Sequence, residues 1–301
     1  MIFNDKLQII GSELNTELDR LMDIAFHNQT HPSDLLLLHV NGFYNQDVVD
    51  RFNPHVIGPG REGYSEQTFY DFIHNYRTNN ISELAQTEYL KQFEWSNERS
   101  QLIQQLTNEE AIGIQTELQI YMRFWEVDMI IKKLYQFVRL LNGESYDWYF
   151  KIQESARGEK YSGSKQDIIR IKIRAKLEDT STIFYNAIKK SYITQVRNSI
   201  AHNNFSIIGR RINLNNYIEG DPHSSMHGLS FEEWANIFHN TLILHSLYIR
   251  LGNKINRIYG KIAMKSGNEI EIRITEQDGK EYPLILRYLP DRSDWTFKQK
   301  K

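Results

Sequence analysis

The chain has no cysteine among its 301 residues. That absence excludes a disulfide framework, thiolate zinc sites, iron–sulfur ligation and cysteine nucleophiles. Long apolar runs are missing as well. The longest, Leu35 to Leu38, falls far short of the roughly 20 residues that a membrane span needs. The N-terminus offers Asn4, Asp5 and Gln8 where a signal peptide requires a basic stretch and then an apolar one. No aspartate/glutamate–lysine nuclease cluster, Walker lysine, serine elbow or zincin helix is found. What is present is 40% hydrophobic residues, ample for a buried core. A soluble, cytoplasmic protein without membrane association is expected.

The net charge of −2 hides an uneven distribution. Residues 1–150 carry a net charge of −11, residues 151–216 one of +8 and residues 217–301 one of +1. The basic island includes Arg170, Lys172, Arg174 and Lys176 in alternation, then Lys189–Lys190 and Arg210–Arg211. Such asymmetry points to nucleic-acid contact, with Arg170, Arg174, Lys189, Lys190, Arg210 and Arg211 as the expected phosphate ligands. The alternative is that the acidic half and the basic island pack on each other or form solvated faces.

Periodicity predicts a mainly α protein. From Asn4 to Phe26 a helical stripe runs through Ile9, Leu14, Leu18, Leu21, Met22 and Ala25. A turn-rich stretch from Asn53 to Gly63 follows, and Ser65 opens a helix through Tyr76. Thr107 and Glu110 match a capping box. Beyond them Ile120, Phe124, Val127, Ile131, Leu134, Val138 and Leu141 form a heptad-like seam, expected to be the central helix of a bundle that ends at Asn142–Gly143. Ser164 to Ser191 reads as one or two helices, and Phe205 to Tyr217 as irregular or extended chain. Ser230 and Glu233 match a second capping box, opening a helix with a stripe from Trp234 to Ile258 that ends near Gly260. The period then becomes two. Ile270, Ile272 and Ile274 alternate with charged residues, Asp278–Gly279 marks a hairpin turn, and Leu284 to Tyr288 returns, with Trp295 to Phe297 as a third strand. Three segments are expected: an N-terminal helical region (1–96), a helical bundle (97–262) and an antiparallel β-meander (263–301).

Several patterns resemble sites without the context a site requires. Gly58 to Gly63 has dinucleotide-loop spacing, but no apolar strand leads into it and Pro59 lacks an amide hydrogen. His27 with His31, and His223 with His227 and Asp221, have metal-compatible spacing on weak or loop segments, so no metal site is expected. His239 and His245 fall beside the apolar stripe of the long helix and read as core histidines.

The sharper pattern is Arg197-Asn-Ser-Ile-Ala-His202, inside the basic island. Tyr192, Val196 and Ile200 recur every four residues and can face a core, while Asn198 and His202 share another face with Gln195 close to it. Arg197 lies ~140° around and ~7.5 Å along an ideal helix from His202. The two converge on one phosphate either through fraying at Asn203–Asn204 or across a dimer. Arg20 and His27 satisfy the looser spacing but lack the Asn and lie in the acidic half.

Arg197, Asn198, Ala201 and His202 resemble the commonest form of the HEPN superfamily motif, in which an Arg is followed after four to six residues by a His, within a helical bundle. The resemblance covers residues 97–262. It implies metal-independent endoribonuclease action that leaves a cyclic phosphate, without a cofactor and usually in a homodimer. It also implies roles as a toxin, a toxin–antitoxin effector or an anti-phage protein, with RNA and an antitoxin or sensor protein as partners. The residue chemistry is compatible: His202 can move a proton, Arg197 can stabilise a phosphorane-like transition state, and Asn198 can orient either. Part of the family binds nucleotides or scaffolds partners without cleaving. The alternative role for Arg197 and His202 is to cap a helix C-terminus. The β tail is not a usual part of such a bundle.

Overall fold

The computed structural model describes residues 2–47, 54–152 and 165–298. Asn53 and Ser164, the expected starts of a turn and a helix, lie outside them. In chain order, β1 (Ile2–Phe3) leads into α1 (Asn4–Asn28) and α2 (Asp34–Val40). Then come β2 (Phe43–Tyr44), β3 (His55–Val56), α3 (Gly60–Asn80), β4 (Ile81–Ser82), α4 (Gln86–Leu90), α5 (Ser100–Glu126) and α6 (Asp128–Leu141). A π-helical segment (Ile168–Arg174) precedes α7 (Thr182–Ser191) and α8 (Thr194–Ala201). Strands β5 (Phe205–Ile208), β6 (Arg211–Leu214) and β7 (Gly228–Ser230) form one antiparallel sheet. The long α9 (Phe231–Lys265) is followed by β8 (Glu269–Thr275), β9 (Glu281–Leu289) and β10 (Asp294–Phe297), paired in the order β10-β9-β8. The protein is thus mainly helical, with small antiparallel sheets, one of them the expected C-terminal meander.

Local chemistry explains which boundaries the sequence announces. The second capping box forms: the Ser230 amide donates to Glu233 Oε2 at 2.7 Å and the Glu233 amide to Ser230 Oγ at 3.1 Å. The first does not. Thr107 lies inside α5, and the carboxylate of Glu110 is buried and held by Arg210 instead. The predicted central helix is also broken, because Val127 is extended (φ −71°, ψ 111°) between α5 and α6. Ile120, Phe124, Ile131, Val138 and Leu141 are all buried. A hydrophobic seam reports burial, and burial continues on both sides of the break. In α1 Ile9 is 68% exposed, and Leu7 takes the buried place in line with Leu14, Leu18 and Leu21. Helix α9 runs past Gly260 and leaves Ile258 exposed. Gly260 is a close approach and not a stop, since a Cβ there would lie 2.9 Å from the Tyr288 ring. The extended segment after α8 is a hairpin, turned at Gly209 (φ 57°), where a two-residue loop calls for glycine.

The chain divides into two compact units, each assembled from three stretches. The first comprises Met1–Asn15, Thr68–Glu126 and Ile183–His245; the second comprises Thr16–Gln67, Val127–Thr182 and Ser246–Lys301. The sequence suggests consecutive segments, whereas these units interleave along the chain. In the first unit Glu117 is 1% exposed and accepts hydrogen bonds from Tyr76 Oη (3.0 Å) and Trp234 Nε1 (2.7 Å). The Phe3 amide donates to His239 Nε2 at 2.8 Å, which leaves Nδ1 to carry the proton and donate to the Ala235 carbonyl. His245 packs edge-on against Phe69 and Phe124. In the second unit β8 and β9 bury Ile270, Ile272, Ile274 and Leu286, and Tyr146 Oη donates to the Gly42 carbonyl at 2.7 Å.

Burial pushes His239 and His245 in the first unit, and His39 in the second, down to about 4. Their folded-state values lie below the ordinary histidine value, so the unfolded chain binds protons first as pH falls. Stability should be flat above neutrality with respect to these groups and fall as pH drops from about 6.5 towards 4. Urea midpoints across this range check the expectation, and His245→Leu should flatten part of the slope. An unchanged slope in that variant excludes His245 as a contributor.

Candidate functional site

Helix α8 carries the motif, and its buried face is the one the spacing predicts. Tyr192 and Val196 are buried and Ile200 is half-buried. The Tyr192 ring meets Trp125 at 5.0 Å, while Tyr121 Oη receives the Ile193 amide at the helix entry. Gln195, expected near the Asn198–His202 face, is buried and structural. Its Nε2 donates to the Met226 carbonyl at 2.8 Å and its Oε1 accepts the Met226 amide at 3.0 Å, fixing the loop between β6 and β7. Ser199 is fully buried, and its hydroxyl donates to the Asn204 carbonyl.

The helix does not fray at its end. His202 is the C-cap, Asn203 adopts a left-handed conformation (φ 53°), and the amides of Asn203 and Asn204 return to the carbonyls of Ile200 (3.1 Å) and Ser199 (2.7 Å). This is a Schellman closure with Asn in the place more often taken by Gly. It holds His202 at the rim of the helix with its side chain exposed. Among the described residues no protein group hydrogen-bonds to its imidazole.

Arg197 is held differently. Its Nε donates to Glu126 Oε1 at 2.6 Å, Nη2 reaches the same oxygen, and Nη1 donates to Asn198 Oδ1 at 2.9 Å. A guanidinium has five N–H donors. Nη1 and Nη2 each therefore keep one that no described residue takes up. The arrangement is a half-buried Glu126–Arg197–Asn198 chain with an exposed imidazole one helical turn beyond Asn198. The sequence reading missed Glu126. Its only signal was that it belongs to the acidic half, which the charge count had already offered as a packing partner for the basic island.

The expected phosphate ligands are placed unequally. Lys189 and Lys190 are exposed in the last turn of α7, where cations favour the helix dipole. Arg211 is exposed on β6. Arg210 is engaged by the protein itself: it makes a two-point pair with Glu110 (2.7 and 3.0 Å) and a third contact to Glu232 at 2.6 Å, and lies 3.9 Å over the Phe93 ring. Arg170 and Arg174 sit half-buried in the π-helical segment of the second unit. The six residues are thus divided between the two units.

The rejected patterns are also accounted for. Arg20 is paired with Glu17, and His27 Nδ1 bonds the Asp23 carbonyl at 2.7 Å. His227 stacks on Tyr217 at 3.8 Å. Helix α3 opens at Gly60, five residues before the expected Ser65 and behind the short β3, but the Gly58 and Gly63 amides are spent on the Val40 and Pro59 carbonyls. Among the described residues no group of three His, Asp or Glu side chains stands in metal-binding geometry. No described helix is long and apolar enough to cross a membrane. In comparisons with known proteins, no family model, no curated protein and no solved structure matches this chain.

Two substitutions test the local geometry. Asn203→Ala should cost about 1 kcal/mol, because a Cβ-bearing residue without a local hydrogen-bonding side chain disfavours the left-handed region. Glu126→Gln should cost less than about 1 kcal/mol, since the pair is only half-buried. Denaturant midpoints measure both.

Proposed function

We propose that the protein is a metal-independent endoribonuclease of the HEPN type, acting as a toxin or anti-phage effector. The observation that carries this reading is the exposed His202 imidazole, fixed at a closed helix end one turn from the Asn198 amide that holds Arg197. In the reaction His202 takes the proton of an RNA 2′-hydroxyl, and that oxygen attacks the adjacent phosphorus. The bond to the 5′-oxygen breaks, the leaving oxygen takes up a proton, and a cyclic phosphate remains. The N–H groups left on Arg197 Nη1 and Nη2 face the charge that develops on the phosphorane oxygens. A single imidazole cannot be base and acid within one concerted step. A homodimer, in which His202 of a second copy supplies the acid, therefore fits this chemistry best. An antitoxin or sensor protein would act by covering or releasing this face.

One observation favours a second reading, a non-catalytic module that binds a nucleotide or scaffolds a partner. Glu126 neutralises part of the Arg197 charge, as it would if the arginine served to lock α8 against α5.

Incubating total RNA with the wild type in EDTA should produce new ends. His202→Ala should lower their yield by roughly 10²–10⁴-fold and Arg197→Ala by roughly 10²–10³-fold, with melting temperatures close to wild type for His202→Ala. Undiminished cleavage in both variants removes the enzymatic assignment of this site. Absence of cleavage by the wild type, with salt-sensitive RNA binding retained, selects the non-catalytic module.

A further inference from the structure

The second unit contains a cleft of about 960 Å³ that has no part in the site described above. Its walls carry two aromatic pairs. Tyr135 and Phe150 stack with centroids 4.0 Å apart and planes 25° from parallel, and Tyr44 lies against Tyr149 at 4.7 Å. The platform is held from behind. His55 is 2% exposed and meets the Tyr44 ring at 5.3 Å, and Tyr149 Oη donates to Glu276 Oε2. Tyr44, Tyr149 and Phe150 remain half-exposed at the surface of the cleft.

Charged groups at the cleft differ in how far they are already satisfied. Lys280 is neutralised by Asp278 at 2.6 Å. Lys151 and Lys172 are exposed, and no carboxylate pairs with either among the described residues; Lys172 Nζ lies 5.8 Å over the Tyr135 ring. Asp147 and Glu276 also line the cleft; Asp147 Oδ1 accepts the Tyr149 amide and Glu276 Oε2 the Tyr149 hydroxyl, so each carboxylate has one oxygen already engaged. A second hollow of about 710 Å³ shares Tyr44, Phe150 and Lys151, so these residues form a ridge with space on both sides.

Aromatic faces take planar rings, carboxylates accept from ring amino groups, and unpaired ammonium groups take an anion. We propose that this cleft is a nucleotide-binding site. A base stacks on the Tyr44–Phe150 ridge, its amino edge meets Asp147 or Glu276, and its phosphate meets Lys151 and Lys172. The amino-edge contact favours guanine, adenine or cytosine over uracil, which has no such donor. The same chemistry is presented by a free nucleotide and by an unpaired residue of single-stranded RNA. The site does not depend on the Arg197–His202 chemistry.

Equilibrium dialysis with labelled GMP, AMP, CMP and UMP, and with a single-stranded RNA ten-mer, tests this on the full chain. GMP, AMP or CMP should bind saturably and more tightly than UMP. Phe150→Ala should weaken nucleotide binding roughly 5- to 10-fold or more, the range expected for loss of one stacking partner. Lys172→Gln should weaken GMP but leave guanosine unchanged, a split that a general loss of structure does not produce. Arg197→Ala should bind GMP as the wild type does. Tighter, salt-sensitive binding of the ten-mer identifies an RNA strand as the natural source, and equal affinity identifies a free nucleotide. Absence of saturable binding at millimolar nucleotide overturns the proposal, as does binding unaffected by both cleft variants or abolished by Arg197→Ala alone. RNA cleavage by the wild type is read separately, so either reading can fail without the other.

Discussion

Three carboxylates on one helix, two buried and one half-buried, tie elements of the first unit to particular partners. Along α5, Glu110 takes Arg210, Glu117 takes Tyr76 and Trp234, and Glu126 takes Arg197. A buried carboxylate must be matched by donors of fixed position, or the cost of removing it from water is not recovered. The direction of α5 therefore constrains α3 and α9 through Glu117, the β5–β6 turn through Glu110 and the motif helix α8 through Glu126. Apolar contact alone would leave such elements free to slide, whereas each carboxylate names a particular partner atom.

The uneven charge along the chain gains a physical meaning from these pairs. Part of the acidic half exists to receive part of the basic island, and Arg197 and Arg210 are the two arginines for which this is plainest. The surface they would have lent to a polyanion is correspondingly reduced. Lys189, Lys190 and Arg211 remain exposed. The positive field that the first unit offers a polyanion is therefore weaker than the basic island alone suggests.

Legibility followed the range of the interactions. The meander, the Ser230–Glu233 cap and the stop at Asn142–Gly143 were readable because each depends on residues a few positions apart. The buried face of α8 was readable for the same reason. The break at Val127 was not, because the apolar pattern continues across it. Leu7 displaced Ile9 because it lies seven residues before Leu14, in line with it on the helix, whereas Ile9 falls ~140° away. Glu126 lies 71 residues from Arg197, and only the folded chain brings them together. The hairpin after α8 lay between these extremes: Phe205 to Tyr217 read as irregular or extended chain, but its turn did not, and β7 arrives from beyond a polar loop. The aromatic cleft of the second unit joins residues from five separate stretches, and no local spacing announces it.

The interleaving of the two units bears on how this chain could be altered over time. Helices α1, α3 and α9 each begin in one unit and end in the other. No single pair of cuts excises either unit as a cassette, and removing residues 1–96 would take the Phe3 partner of His239 from one unit and the leucines of α2 from the other. Recombination that swaps whole modules has no clean seam here.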